Sequence, residues 1–292
     1  MILSKRSTTD IRIIGPRQSG KTTYLATLAH CPHKKELGMR FPGLQILPTS
    51  HDAENLSRLA EDIIMRGEKI AGDYRRGLEV LPFYYFQIKI PPVKGLPSVA
   101  IDLATRDFAG EIFDDIPLAH KWTETEPYID DLFTATGWMV MLTDWEPERD
   151  TRLYKPAFTK LCQEISEREQ INPEIKKLRI AIVMSKCERG EIWPCRLEPD
   201  EDLFKVRLPK TYQVLNQKLP PERLQFFACS AFGVMCDRKD DFDPRPNRYI
   251  PDDGTPAEYS ACLRQPSQWK PYGLISPIYW LATGKILYDR SL

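Results

Sequence analysis

Two glycines, a lysine and a threonine near the start of the chain stand at a spacing that suits the holding of phosphate. Gly15-Pro16-Arg17-Gln18-Ser19-Gly20-Lys21-Thr22 matches G-x-x-x-x-G-K-[ST] at each fixed position. In such a loop, successive backbone N–H groups turn inward as an anion-binding nest, and the helix that follows adds partial positive charge at its N-terminus. Gly20 lets the main chain approach a phosphate with no Cβ in the way. Lys21 reaches the β- and γ-phosphates, and the Thr22 hydroxyl suits Mg²⁺. Gly15, Gln18, Ser19, Gly20, Lys21, Thr22 and Thr23 are therefore the candidate phosphate-binding residues.

Three further clusters carry polar groups that this chemistry can use. Asp107-Phe108-Ala109-Gly110-Glu111 follows a β-branched run, and Asp102, inside that run, is a second acid in reach of its end. Ser185-Lys186-Cys187-Glu188 follows the apolar run that ends at Met184, and Ser230-Ala231 follows the one that ends at Cys229. As a plain alternative, Lys186 to Glu191 reads as a charged, solvated loop.

The elements that must position these clusters alternate between strand and helix. Ile11, Ile13 and Ile14 are apolar and β-branched, as a buried strand needs. A helix from Thr23 to His30 follows the glycine loop, and Pro32 stops it. Cys31 to Pro48 reads as loop. A second helix spans Ala53 to Arg66, capped by Ser50 or Asp52 and closed at Gly67. Phe83–Ile90 and Ser98–Ala104 read as an antiparallel hairpin. Trp138–Thr143, Leu178–Met184 and Leu224–Cys229 are short apolar runs and read as buried strands. Helical stretches lie between them, at about 149–169 and at about 201–219 with a break at Pro209. Strands alternating with helices imply a mostly parallel sheet with helices on both faces. Residues 237–272, rich in Pro, Asp and Arg, read as a long exposed loop. Ser276 and Pro277 open a last helix over about 276–288. The expected architecture is α/β: one domain over 1–292, three-layered, with a helical insertion at about 32–82.

Composition narrows the functions. The chain has 292 residues, 42% of them hydrophobic, which is ample for a core. Lys plus Arg and Asp plus Glu both number 41, so the basic footprint of a duplex-binding protein is absent. No apolar run of membrane-spanning length and no secretory leader is visible, and the seven cysteines match no zinc spacing. Free thiols in a reducing cytoplasm are the expectation.

Taken in order, the four clusters resemble the sequence boxes of Ras-like P-loop GTPases, so the resemblance implies a P-loop NTPase fold and GTP or GDP with Mg²⁺ as ligands. It gives Asp107 the role of holding Mg²⁺ through water, together with Thr22. Gly110 takes the role of binding the γ-phosphate through its N–H. Glu111 stands where the family places the glutamine that orients the attacking water. Asp102 remains the competing metal aspartate. Lys186 and Glu188 stand where the family reads guanine, the acid accepting the two guanine N–H groups. Here Ser185 replaces Asn or Thr, and Glu188 replaces Asp, which leaves ATP as an alternative ligand. Ser230-Ala231 matches the box whose backbone meets the guanine oxygen. The insertion, the Asp-x-Ala-Gly-Glu form and Tyr279-Trp280-Leu281 look most like the double-GTPase families of bacterial conflict systems. The switch threonine has no clear counterpart; Thr49 is the one threonine between Thr27 and Ser98. Arg17 and Arg106 raise the idea of an arginine finger supplied within the chain. The implied function is slow Mg²⁺-dependent GTP hydrolysis, with Lys21 and Glu111 as catalytic residues and a protein partner or effector. The alternative is a nucleotide-binding interaction module with little hydrolysis.

Overall fold

The computed structural model describes residues 5–30, 43–68, 81–92, 98–106, 108, 110–237, 242–250 and 261–287. Seven strands form one sheet: β1 (Lys5–Ile14), β2 (Gln45–Pro48), β3 (Phe83–Ile90), β4 (Val99–Arg106), β5 (Gly137–Leu142), β6 (Arg179–Met184) and β7 (Leu224–Ala228). Their order across the sheet is β2-β3-β4-β1-β5-β6-β7. β2, β3 and β4 pair antiparallel, so the expected hairpin is present, and every other neighbour is parallel. β1 changes partner along its length. Lys5 to Asp10 pair with β4, and Ile11 to Ile14 pair with β5. Its C-terminal end thus lies in the middle of the sheet, where the glycine loop begins.

Alternation along the strands builds two cores. Ile11, Ile13, Met139 and Met141 face one side with α1 (Lys21–His30), α2 (His51–Glu61) and, from the C-terminus, the helix Ser276–Thr283. Ile14, Trp138, Val140 and Leu142 face the other, against α3 (Gly110–Asp115), α4 (Trp122–Leu132), α5 (Lys155–Ile171) and α6 (Pro209–Lys218). Side chains of period two between helices of period 3.6 give the three layers. Every residue of β5 is buried, as a central parallel strand requires. Ser50 caps α2, its Oγ accepting from the Ala53 N–H at 3.2 Å, and a π turn over Asp62–Arg66 carries the helix on to Gly67 in the left-handed region.

Four expectations need correction. Residues 45–48, expected as loop, form the edge strand β2, held by pairing with β3 and not by any periodicity of their own. α3 and α4 lie in a stretch that showed no element; α4 buries Thr125, Ile129 and Leu132 at helical spacing despite Pro127. The last helix, α7, ends at Thr283, because Gly284 turns left-handed at φ 71°, so Ile286 and Leu287 lie beyond it.

The fourth correction concerns 237–272. Its described part is folded onto the domain. β8 (Val234–Asp237) pairs with β9 (Phe242–Pro246), and β10 (Arg248–Tyr249) with β11 (Cys262–Leu263). Asn247, fully buried between β9 and β10, clasps Gln265: its Oδ1 accepts from the Gln265 N–H at 2.8 Å and its Nδ2 donates to the Gln265 carbonyl at 3.0 Å. The Trp269 Nε1–H donates to the Ala231 carbonyl at 2.8 Å, and Tyr272 exchanges backbone bonds with Ser230. Polar clasps and a few buried aromatics fasten the segment without a periodic signal, while much of it stays exposed, Phe242, Tyr249 and Ile250 included. Parts of the expected insertion, 31–42 and 69–80, lie outside the described residues. No helix among the described residues is long and apolar enough to cross a membrane.

Candidate functional site

The glycine loop joins β1 to α1 across the C-terminal edge of the sheet. Gly15 has φ 153°, and a Cβ there would stand 2.0 Å from the Met141 carbonyl oxygen, so only glycine passes β5 at this point. Gln18 and Gly20 take positive φ, 59° and 86°, which curls the loop over Ser19. The Ser19 N–H donates to the Pro16 carbonyl at 3.2 Å. Lys21, only 7% exposed, folds back over the loop and donates to the carbonyls of Gly15 at 2.9 Å and Pro16 at 3.1 Å and to the Ser19 Oγ at 3.3 Å. The ammonium is thus held at the mouth of the loop. Thr22 and Thr23 are half-buried in the first turn of α1.

α3 packs directly on this loop. A Cβ on Gly110 would stand 2.4 Å from both the Cα and the N of Arg17. Glu111 pairs with Arg17, oxygen to guanidinium 2.5 Å. Asp114 lies against the Arg17 main chain; burial raises its pKa most strongly, while the Arg17 backbone N–H and the charges of Arg149, Lys21 and Arg17 oppose the rise. Asp114 stands three residues after Glu111 on the same helix, and that spacing was the available signal for it. Asp107 and Ala109 lie outside the described residues. β4 runs on to Arg106, so Asp102 sits inside the strand, its Oδ1 3.4 Å from the Gln87 Nε2, and the strand end falls beside 107. Thr49 hydrogen-bonds through its N–H to the Tyr85 carbonyl at the outer edge of the sheet, with β3 and β4 between it and β1. Arg106 pairs with Asp131 and stacks over Phe83, whereas Arg17 is the arginine beside Glu111.

The clusters after β6 and β7 meet the glycine loop from its other side. Ser185 ties β6 to β5, its N–H and its hydroxyl both donating to the Leu142 carbonyl, at 2.8 and 2.9 Å. Lys186 takes φ 56°, and its Nζ donates to the Gln18 carbonyl at 2.5 Å. The Lys186 stem thereby passes beside Gly20, whose built Cβ would lie 3.8 Å from it. Burial first, then the charge of Arg189, lowers the Lys186 pKa to about 8. Glu188 is fully buried. Burial raises its pKa, and the Ser230 hydroxyl and the Arg248 guanidinium oppose that rise. Ser230 lies on the floor, its Oγ accepting from the Gly233 N–H at 2.7 Å, and Ala231 follows it half-buried. Lys186 and Glu188 are therefore built into the site, unlike a solvated charged loop.

Three charged residues complete this end and had not been singled out. Asp144 follows β5 with φ 64° and accepts from Arg189 at 2.9 Å, and Arg189 stacks over Trp145, 4.7 Å from the ring centroid. An acid directly after a buried strand was a visible signal for Asp144. Arg248, which pairs with Glu188 at 3.1 Å, comes from β10 and had no local signal at all.

The sheet order, the loop between β1 and α1, and the layers on both faces are those of the P-loop NTPase α/β fold. No protein-family model and no curated protein matches the chain. Solved structures that resemble it include Sup35 complexed with GDP, 11% identical with a TM-score of 0.34, covering 79% of this chain and 40% of that one. The S. cerevisiae Ski7 GTPase-like domain bound to GTP is 13% identical with a TM-score of 0.37, covering 88% and 48%. A septin GTPase domain from Chlamydomonas reinhardtii is 12% identical with a TM-score of 0.34, covering 97% and 91%. The chain thus spans under half the length of the first two.

Proposed function

We propose that this chain binds a guanine nucleoside triphosphate with Mg²⁺ and hydrolyses it slowly, as a switch or a component of a conflict system that acts on a protein partner in the cytoplasm. The observation that carries the reading is the Lys186-to-Gln18 bond, 2.5 Å long, because it joins the base cluster to the phosphate loop in one site. The loop N–H groups and Lys21 hold the phosphates. Thr22 and Asp107 are the residues that would hold Mg²⁺: one is a hydroxyl in the first turn of α1, the other an acid directly past the end of β4. When bound, the metal neutralises developing charge on the phosphate oxygens. Gly110 lies against the loop and Glu111 is one residue on, so α3 is the element that meets the terminal phosphate.

A second reading has its own observation. Glu111 is engaged by Arg17, which favours a nucleotide-binding interaction module with little turnover. Calorimetry of the full chain with GTP and with ATP, each with Mg²⁺, and single-turnover hydrolysis in parallel separate these readings. GTP is expected to bind at least about tenfold tighter than ATP, about 1.4 kcal/mol. Tight GTP binding with no hydrolysis above background, with or without cell extract, selects the interaction module. Equal affinity for ATP and GTP removes the guanine reading.

A further inference from the structure

Glu188 has hydrogen-bonding capacity that the fold leaves unmet. Its carboxylate is fully buried with the Ser230 hydroxyl beside it, yet neither oxygen receives a well-formed hydrogen bond among the described residues. A carboxylate offers about four lone-pair sites, and burying it without donors is costly. Its close charged partner is Arg248, whose Nε stands 3.1 Å from Oε1. The Arg248 Nε is buried and lacks a well-formed hydrogen bond as well. An acceptor-only group and a donor-only group therefore lie side by side at the base end of the site.

Arg248 is not there by local accident. It follows Asn247, whose buried amide clasps Gln265, and β10 pairs with β11, Arg248 opposite Leu263. The same segment is fastened to Ser230 and Ala231 through Tyr272 and Trp269. An attachment from outside the seven-stranded sheet thus sets one guanidinium beside one carboxylate.

The pair matches one purine edge. Guanine presents two donors, N1–H and the N2 amine, next to one acceptor, O6. Adenine presents an acceptor at N1 and a donor at position six, and so opposes both charges. We propose that Arg248 is a specificity-determining residue of this site, donating to O6 of a guanine whose N1–H and N2–H groups are held by Glu188. This rests on the reading of the site as one for guanine nucleotides.

Three nucleotides separate the two contacts. ITP lacks the N2 amine and so reports on Glu188. 6-thio-GTP keeps both N–H donors but replaces O6 by sulfur, a weak acceptor, and so reports on Arg248. Affinities of the full-length parent, Arg248→Ala, Arg248→Gln and Glu188→Gln for these and for GTP and ATP are measured near neutral pH, with thermal melts to establish folding. The parent is expected to prefer GTP over 6-thio-GTP by about tenfold, as loss of one charge-assisted hydrogen bond predicts. Arg248→Ala should bring that ratio close to one while keeping the preference for GTP over ITP. Glu188→Gln should do the reverse. Arg248→Gln, which keeps a neutral N–H donor, should show an intermediate ratio; it carries the test if the alanine variant does not fold. Ratios are read within each folded protein, so a uniform loss of affinity with the ratio intact overturns the proposal. A parent that selects GTP over ATP, with variants of Arg248 that discriminate 6-thio-GTP as the parent does, overturns the role of Arg248 alone. A parent that binds GTP and ATP equally overturns the base site and this inference together.

Discussion

Lys21 and Lys186 hold the site together from opposite ends, and both do so through carbonyls of the glycine loop. Lys21→Ala removes the charge proposed to meet the phosphates together with three local acceptor contacts. Nucleotide affinity should fall by about a hundredfold or more, on the order of 3 kcal/mol for a charge-assisted partner. The fold should survive, since those contacts lie within one loop. Calorimetry and a thermal melt on the same sample check both halves. An unaltered affinity for GTP would remove the phosphate assignment.

Lys186 makes a prediction about pH. Its folded pKa, about 8, lies below the unfolded value near 10.4, so the unfolded chain binds more protons in the window between them. The contribution of Lys186 to stability is therefore unfavourable below about pH 8 and is relieved as pH rises toward about 10. Compared with the parent, Lys186→Met should gain stability at neutral pH, and the gain should shrink above about pH 8. Urea unfolding of both proteins across that window measures the difference. A gain that grows with pH would refute the assignment of the low pKa to this lysine.

At the scale of elements, α3 and the glycine loop behave as one packed unit. Gly110→Ala places a methyl 2.4 Å from loop backbone, which cannot rotate away as a side chain tip would. The variant should lose about 1–3 kcal/mol of stability, in the range of overpacked cores, and should bind nucleotide more weakly because the loop is displaced. Glu111→Ala should behave differently. Arg17 is 59% exposed, so loss of their ion pair should cost no more than about 1 kcal/mol. If Glu111 acts on the attacking water, hydrolysis falls while binding is spared; if it only latches Arg17, binding strengthens or holds and hydrolysis does not fall. Denaturant unfolding and single-turnover assays on the two variants distinguish displacement of the loop from release of its latch.

For the whole molecule, the decisive feature is the attachment of 242–250 and 261–272 beside Ser230 and Glu188. Asn247→Ala empties a fully buried position and deletes both clasps to the backbone N–H and C=O of the exposed Gln265. The expected loss is about 1–3 kcal/mol, two hydrogen bonds at roughly 0.5–1.5 kcal/mol each. Urea unfolding tests it, and a loss within error of zero would mean that the clasp does not hold the segment.

How far each part of the site was legible depends on the range of the interactions behind it. The glycine loop was readable because its requirements are local. Gly15 and Gly20 answer backbone conformations and close approaches within a few residues, and Lys21 and Thr22 follow from the turn into α1. The strands β1, β3, β4, β5, β6 and β7 were readable because burial on one or both faces writes itself into composition at period two or as apolar runs. The order of the clusters along the chain, each past a strand, was legible for the same reason. β2 was not, since an edge strand of four residues exists only through its neighbour. Asp114 meets Arg17, Glu111 turns to Arg17 and Arg248 reaches Glu188 only when distant segments are brought together. Sequence alone was enough for the glycine loop, the strands of the sheet other than β2, and the order in which the polar clusters follow them. The tertiary structure alone decided which charges face one another there, because ion pairs and amide clasps between segments tens of residues apart impose no spacing on either segment.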